Sequence, residues 1–352
     1  MKIAQLAPPW ISVPPKAYGG IELVVSLLTE ELVSRGHDVT LFATGDSKTS
    51  ATLSYEFEEA RTSQLGSTAI DAIHVAKALG RAEEFDVIHD HSGFLAVAFA
   101  GFVKAPILHT LHGPFQEDTK DFYGRVKDNC YFNAISEYQK SCFPILNYVN
   151  TVYNAVDVYN MPYRDRKDDF LLIVSRVSVV KGTHLAIEVA KRAGRKIVIA
   201  GKVDQIDASY FKKEVMPEID GDRVVFLGEV TQAEKRKLMA AARCFVFPIQ
   251  WPEPFGLVMA EAMATGTPVV AMRNGSVPEV VRDQETGFVV ETVDEMVQAV
   301  ESVGRINPID CRRYVEEKFS PKRMADGYEQ NYEIIIERER SVAESLDGPS
   351  TA

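Results

Sequence analysis

Cys244-Phe-Val-Phe-Pro-Ile-Gln-Trp-Pro-Glu-Pro-Phe-Gly-Leu-Val-Met-Ala-Glu-Ala-Met-Ala-Thr-Gly-Thr-Pro-Val-Val-Ala271 reads as a strand, a loop, a helix and a second strand. Cys244 to Phe247 and Val269 to Ala271 are short apolar runs of the kind that fill a buried parallel sheet. Leu257 to Ala264 is apolar except for Glu261, and its punctuation is that of a helix: Pro254 precedes it, Gly266 stands at the C′ position and Pro268 prevents continuation. A carboxylate in such a run is costly to bury unless something donates hydrogen bonds to it. Glu253, eight residues earlier, lies in a Trp-Pro-Glu-Pro stretch that cannot be helical. One acid ahead of the helix and one inside it suggest a pocket that grips hydroxyls.

The same alternation runs through the whole chain, the mark of parallel α/β sheets. In the first half strands are expected at Lys2–Leu6, Asp38–Ala43, Asp86–His89, Pro106–Gly113 and Tyr131–Ser136, with helices at Glu22–Ser34 and Ala69–Leu79. The pattern restarts with strands at Phe170–Ser175, Lys196–Gly201, Val224–Gly228 and the two already quoted, and a helix at His184–Lys191. The charged stretch Tyr159–Asp169 lacks apolar periodicity and reads as the linker. The expected organisation is a first domain at 1–160, a second at 161–318, a helical segment at 319–344 and a disordered polar tail at 345–352.

A chain of 352 residues favours two domains over one. Net charge is 39 − 50 = −11, which argues against nonspecific adhesion to nucleic acid or anionic membrane. Cys130, Cys142, Cys244 and Cys311 show no CxxC spacing and read as reduced thiols, not a disulfide framework or zinc site. No apolar run approaches the roughly 20 residues of a membrane span, and the N-terminus lacks a signal peptide's apolar core. A soluble cytoplasmic protein is expected.

Several residues are candidates for ligand contact. Gly19-Gly20 closes a loop and opens the first helix, where backbone N–H groups can approach an anion; a plain turn is the alternative. No G-x-G-x-x-G follows the first strand, which counts against a dinucleotide oxidoreductase. Arg176 and Lys181 follow the strand Phe170–Ser175, where two cations could hold a diphosphate or simply form a solvated basic loop. Phe255, Gly256 and Leu257 open the helix, whose free N–H groups suit a phosphate. Asp90, His91 and His112 lie at strand ends, where ligand binding and a satisfied core are both open; the spacing of the histidines does not make a zinc site. Asp220-Gly-Asp222 reads as a turn despite its D-x-D form.

Taken together, Gly19-Gly20, His112-Gly113, Arg176 with Lys181-Gly182, and Glu253-Pro-Phe-Gly-Leu with Glu261-Ala-Met-Ala resemble the retaining glycosyltransferases of family 4, over about residues 1 to 330. The resemblance implies a GT-B fold, with two Rossmann-like domains facing a cleft, the acceptor on the first and a nucleotide-sugar donor on the second, and the C-terminal helical segment crossing back. It implies donor diphosphate contacts from Gly19, Gly20, Arg176, Lys181, Phe255, Gly256 and Leu257, ribose contact from Glu261, and catalytic roles for Glu253 and His112. The nucleotide-sugar is a substrate, so no cofactor and no metal are expected; UDP is the default by frequency in the family. The loop from Pro8 to Tyr18 is long and aromatic for this family, and Trp10, Lys16, Tyr18, Asp90 and His91 are expected on the acceptor or sugar side. Trp251-Pro252 and Arg273-Asn274-Gly275-Ser276 depart from the family pattern and are expected to reshape the sugar pocket. The rival readings are a GT-B epimerase, a phosphorylase, and a noncatalytic nucleotide-sugar binding protein.

Overall fold

The computed structural model describes residues 1–16 and 19–346. Tyr18 and the tail beyond Leu346 therefore lie outside the described residues. The chain divides into two compact units, Met1–Ala155 with Pro321 onward, and Val156–Ser320.

The first unit is built on a seven-stranded sheet of order β3-β2-β1-β4-β5-β6-β7. Its strands are β1 (Lys2–Leu6), β2 (Asp38–Ala43), β3 (Thr52–Tyr55), β4 (Val87–Asp90), β5 (Ile107–Leu111), β6 (Tyr131–Ala134) and β7 (Tyr148–Thr151). Every pairing is parallel. The second unit carries six parallel strands in the order β10-β9-β8-β11-β12-β13. These are β8 (Phe170–Val174), β9 (Lys196–Ala200), β10 (Val224–Gly228), β11 (Cys244–Phe247), β12 (Val269–Met272) and β13 (Gly287–Val290). In each sheet the chain winds outward in one direction and then returns to the other side of its first strand. The reversal falls between β1 and β4 in one unit and between β8 and β11 in the other. Open α/β sheets bind ligands beyond the carboxyl ends of the strands at such reversals.

Strands β3, β7 and β13 have no counterpart in the sequence reading. All three are edge strands, paired on one flank only, and polar residues interrupt the apolar runs of β3 and β7. The stretch Tyr159–Asp169, expected as the linker, carries no strand and no α-helix. The division falls at Ala155–Val156, and the charged stretch is tied into the second unit. Lys167 Nζ donates to Ala240 O at 3.0 Å, Thr265 O at 3.0 Å and Thr267 Oγ1 at 2.9 Å. Its desolvation lowers the Lys167 pKa to about 8. Arg236 reaches Asp157 Oδ2 at 3.1 Å.

The helix Pro321–Leu346 belongs to the first unit. Arg35 pairs with Asp326 at 2.9 Å and with Glu329, and Tyr131 donates to Glu339 at 2.7 Å. Gly327 lies against Val152, where a Cβ would meet a methyl at 3.0 Å. Tyr328, Tyr332 and Ile335 are fully buried. Among the described residues no helix is long and apolar enough to cross a membrane. The four cysteines are free, and three of them are buried.

Because Ile335 is fully buried, Ile335→Ala is expected to remove about 2–5 kcal/mol of stability. Urea unfolding of the intact chain checks this, and a change below about 0.5 kcal/mol would mean that the helix is not part of the cooperative core.

Candidate active site

In the second unit the polar groups gather in the loops after β8 and β11. Lys181 Nζ lies 2.6 Å from Glu253 Oε2, and Trp251 Nε1 donates to the same oxygen at 2.9 Å. The ammonium also stands 5.0 Å from the Trp251 ring centroid and 5.8 Å from that of Phe247. Glu253 is 9% exposed, so its charge is compensated by protein donors more than by water.

The backbone is shaped to make this contact. Gly182 adopts φ +70, and a Cβ there would fall 2.1 Å from Pro248 O. Gln250 N donates to Val180 O at 2.8 Å, which ties the two loops together. Gly275, at φ +59, covers the peptide of Glu253, where a Cβ would lie 2.3 Å from its O and 2.4 Å from its N. Ser276 N then donates to Glu253 O at 2.9 Å. Ser178 and Ser276, one in each neighbouring loop, are buried with hydroxyl oxygens that have no partner among the described residues. Such groups are left for water or ligand. Asn274-Gly275-Ser276, a departure in sequence, is thus the seat of Glu253.

The helix Leu257–Ala264 begins after Gly256, which is left-handed at φ +77. Phe255 is buried against Phe319, edge to face at 5.5 Å between ring centroids. Leu257 opens the first turn. Glu261 is buried but not isolated: Lys235 Nζ, on the helix Gln232–Ala241, lies 2.7 Å from its Oε1. Sequence reading missed Lys235, which stands 26 residues away on a different helix. Its only local signal is the Thr231–Glu234 capping box that starts that helix. Arg176 does not join Lys181 at Glu253. It is half exposed, and its guanidinium faces Asp204 at 3.6 Å and Asp207 at 3.5 Å. Asp220 Oδ1 accepts from the N–H groups of Asp222, Arg223 and Val224, so it closes a turn.

In the first unit the ends of β1, β4 and β5 carry a buried polar cluster. His91 Nδ1 and His112 Nε2 are 2.9 Å apart, and His91 Nε2 is 3.2 Å from Gln5 Oε1. His89 contacts the Tyr332 hydroxyl and Thr110 Oγ1, each at 2.7 Å. Asp90 is fully buried, with Oδ2 on His109 Nδ1 at 2.6 Å and Oδ1 on the Ser92 N–H and hydroxyl. Asp90 and His91 are therefore spent on protein partners, and His112 is the half-buried member with exposed surface. Gln5, Tyr328 and Tyr332 are parts of this cluster that sequence reading did not find.

Gly19 and Gly20 precede and open the helix Gly20–Ser34, and a Cβ on Gly19 would fall 2.6 Å from Pro15 Cβ. Trp10 is half-buried and its carbonyl accepts from Thr62 Oγ1 at 2.6 Å, while Lys16 pairs with Asp46 at 3.0 Å on the surface.

Comparison with known proteins agrees with this architecture. A glycosyltransferase involved in avilamycin A biosynthesis superposes with a TM-score of 0.74 at 24% identity, over 95% of this chain and 98% of that one. Anabaena HepE, solved in complex with UDP and glucose, gives 0.71 at 20% identity, over 94% and 98%. The class is thus a GT-B protein, two parallel-sheet α/β domains in one chain. Residues 162–318 match the family of glycosyl transferases group 1 and residues 18–158 match Glycosyltransferase Family 4, and the chain belongs to these glycosyltransferases. A glycosyltransferase of Methanocaldococcus jannaschii is 26% identical over 96% of this chain and 99% of its own length.

Two outcomes follow from this geometry. Gly275→Ala is expected to cost more than about 1 kcal/mol, since its positive φ and the Glu253 peptide both exclude a side chain. Denaturant unfolding measures the cost, and unchanged stability would show that the loop can move off Glu253.

The second outcome concerns pH. Burial first, then neighbouring ring charges, hold His89 and His91 well below the ordinary histidine value. The same causes lower His112 to about 3, and burial lowers His74. The unfolded chain protonates these rings near pH 6.5 and the folded chain does not, so their stabilisation is present above that pH and lost below it. Each ring contributes a slope of about 1.4 kcal/mol per pH unit. Glu22 and Asp71 act in the opposite sense, because burial raises them to about 7 and about 6. The rings outnumber the carboxyls, so the thermal midpoint should fall between pH 7 and pH 5. Glu22→Gln removes an opposing contribution and should steepen that fall. A midpoint that rises on acidification would mean that the rings are charged in the folded protein.

Proposed function

We propose that this protein is a retaining glycosyltransferase that moves a sugar from a UDP-sugar to a hydroxyl acceptor, with the nucleotide-sugar as substrate. The observation that carries the reading is the buried Lys181–Glu253–Trp251 contact beyond the carboxyl ends of β8 and β11. Without donor, Lys181 and Glu253 neutralise each other. A diphosphate is the stronger partner for Lys181. When it takes the ammonium, Glu253 Oε2 is released to a sugar hydroxyl and to the positive charge that develops on the sugar ring.

Arg176, Lys181 and the amide groups at Phe255, Gly256 and Leu257 take the charge of the departing diphosphate, with Gly19 and Gly20 approaching it and no divalent cation required. Glu261 keeps Lys235 on Oε1 and has Oε2 to accept from the ribose hydroxyls. His112 contacts the sugar near the anomeric carbon. Retention follows from attack on the face that the leaving group departs. The bond from C1 to the β-phosphate oxygen breaks, the acceptor oxygen bonds to C1 on the same side, and the acceptor proton passes to the departing phosphate. With Glu253 assigned to a sugar hydroxyl and to the developing ring charge, no carboxylate is left in the role of nucleophile, which favours this route over a covalent intermediate. Trp10 and Lys16 lie on the acceptor side. A UDP donor is supported by the UDP complex of Anabaena HepE.

The test is thermal stabilisation by UDP, ADP and GDP and by their sugars, followed by the anomeric configuration of the product by NMR. UDP is expected to stabilise most, transfer to persist in EDTA, and the product to keep the donor's anomer. Glu253→Gln should lower kcat by about 100-fold or more while UDP affinity stays within about threefold. Glu261→Gln should weaken UDP by about tenfold. No stabilisation by any nucleotide, or an inverted product, would overturn the proposal.

A further inference from the structure

We infer that Gln5 and Tyr332 are positioning residues that decide which ring nitrogen of His112 carries the proton, leaving Nδ1 as a bare acceptor. A neutral imidazole has one N–H, and an amide oxygen cannot donate. Gln5 Oε1 stands 3.2 Å from His91 Nε2, so His91 carries its proton there and its Nδ1 is bare. His112 Nε2, 2.9 Å from that bare nitrogen, must then be the donor. His112 Nδ1 is left with a lone pair and no partner among the described residues.

The Gln5 amide nitrogen faces the Tyr332 hydroxyl at 3.0 Å and His89 Nδ1 at 3.5 Å. Tyr332 accepts from Gln5 and gives its own proton to His89 Nδ1 at 2.7 Å, and His89 Nε2 donates to Thr110 Oγ1 at 2.7 Å. Turning the Gln5 amide over would reverse each of these donors in sequence and move the His112 proton to Nδ1. The arrangement needs uncharged rings, and burial keeps His89 and His91 neutral. Tyr332 lies on the helix Pro321–Leu346, so a residue 220 positions further along the chain sets the tautomer of His112.

The functional consequence rests on the reading of His112 as a sugar contact. With Nδ1 bare, His112 accepts from a hydroxyl and cannot donate to a ring oxygen or a phosphate. The site therefore selects a sugar with a free hydroxyl at that position, and a deoxy or O-methyl sugar there is a poor substrate.

The intact protein labelled with 15N-histidine tests the tautomer directly, through the coupling carried across an N–H···N hydrogen bond. The expected signal links the His112 Nε2 proton to His91 Nδ1, assigned by its loss in His112→Gln. A proton found on His91 Nδ1 and coupled to His112 Nε2 would overturn the inference, whatever any variant does. Gln5→Glu presents oxygen on both sides and should keep the direction. Tyr332→Phe frees the amide and should bring in the reversed signal, while kcat falls at least about tenfold with UDP affinity unchanged. An unchanged signal in folded Tyr332→Phe would overturn the role of Tyr332. If His112→Gln leaves turnover intact while the tautomer is as expected, the sugar contact fails and the positioning stands.

Discussion

The contact between Lys181 and Glu253 sets the terms for the second unit. Two opposite charges removed from water gain little unless their geometry is good and their remaining hydrogen-bonding capacity is met. Here the ammonium reaches the carboxylate at 2.6 Å, and Trp251 adds a second donor to the same oxygen. The surrounding loops conform to that contact. Gly182 lets the chain after β8 approach Pro248, and Gly275 lies on the Glu253 peptide where no side chain fits. A pair that stabilised the fold alone could be replaced by apolar residues at little cost. Ser178 and Ser276, in the loops after β8 and β12, are buried with hydroxyl oxygens that have no partner among the described residues.

The first unit solves a similar problem without charge. At the ends of β1, β4 and β5 it links the rings of His89, His91 and His112, the Gln5 amide and the Tyr332 hydroxyl in one chain of hydrogen bonds. Low dielectric strengthens every link in such a network and raises the cost of an unpaired member. The two units thus differ in kind: the second buries a paired ammonium and carboxylate, and the first buries a network of uncharged groups.

Central strands and the helix Leu257–Ala264 are legible in sequence because burial on both faces demands unbroken apolar runs, and because Pro254, Gly266 and Pro268 punctuate the helix locally. Edge strands β3 and β7 escape that logic, since one flank is unpaired and polar residues are tolerated there. Partners are harder still. Glu261 reads as isolated because its neighbours in sequence are apolar, yet Lys235 arrives from another helix. Lys167 reads as linker charge, yet it caps three oxygens of the second unit. Arg176 reads as the companion of Lys181, and two aspartates hold it instead. In each case residue type was visible and the partner was supplied by folding.

The C-terminal helix illustrates what buried polarity contributes to a fold. Tyr328, Asn331 and Tyr332 share one helical face, at i, i+3 and i+4. Asn331 bonds Asn133 and Asn150, Tyr328 bonds Asn133 and Thr110, and Tyr332 bonds Gln5 and His89. An apolar face of the same volume would bury equal area and could slide along the sheet at little cost. A shift of one turn here would separate all of these pairs, and each buried group left unsatisfied costs about 1–3 kcal/mol. Several such losses exceed what a helix can recover from less specific packing. The hydrogen bonds therefore fix the register of the helix, and the same register holds Tyr332 against Gln5. Docking of the chain's last helix and the state of His112 are consequences of one arrangement.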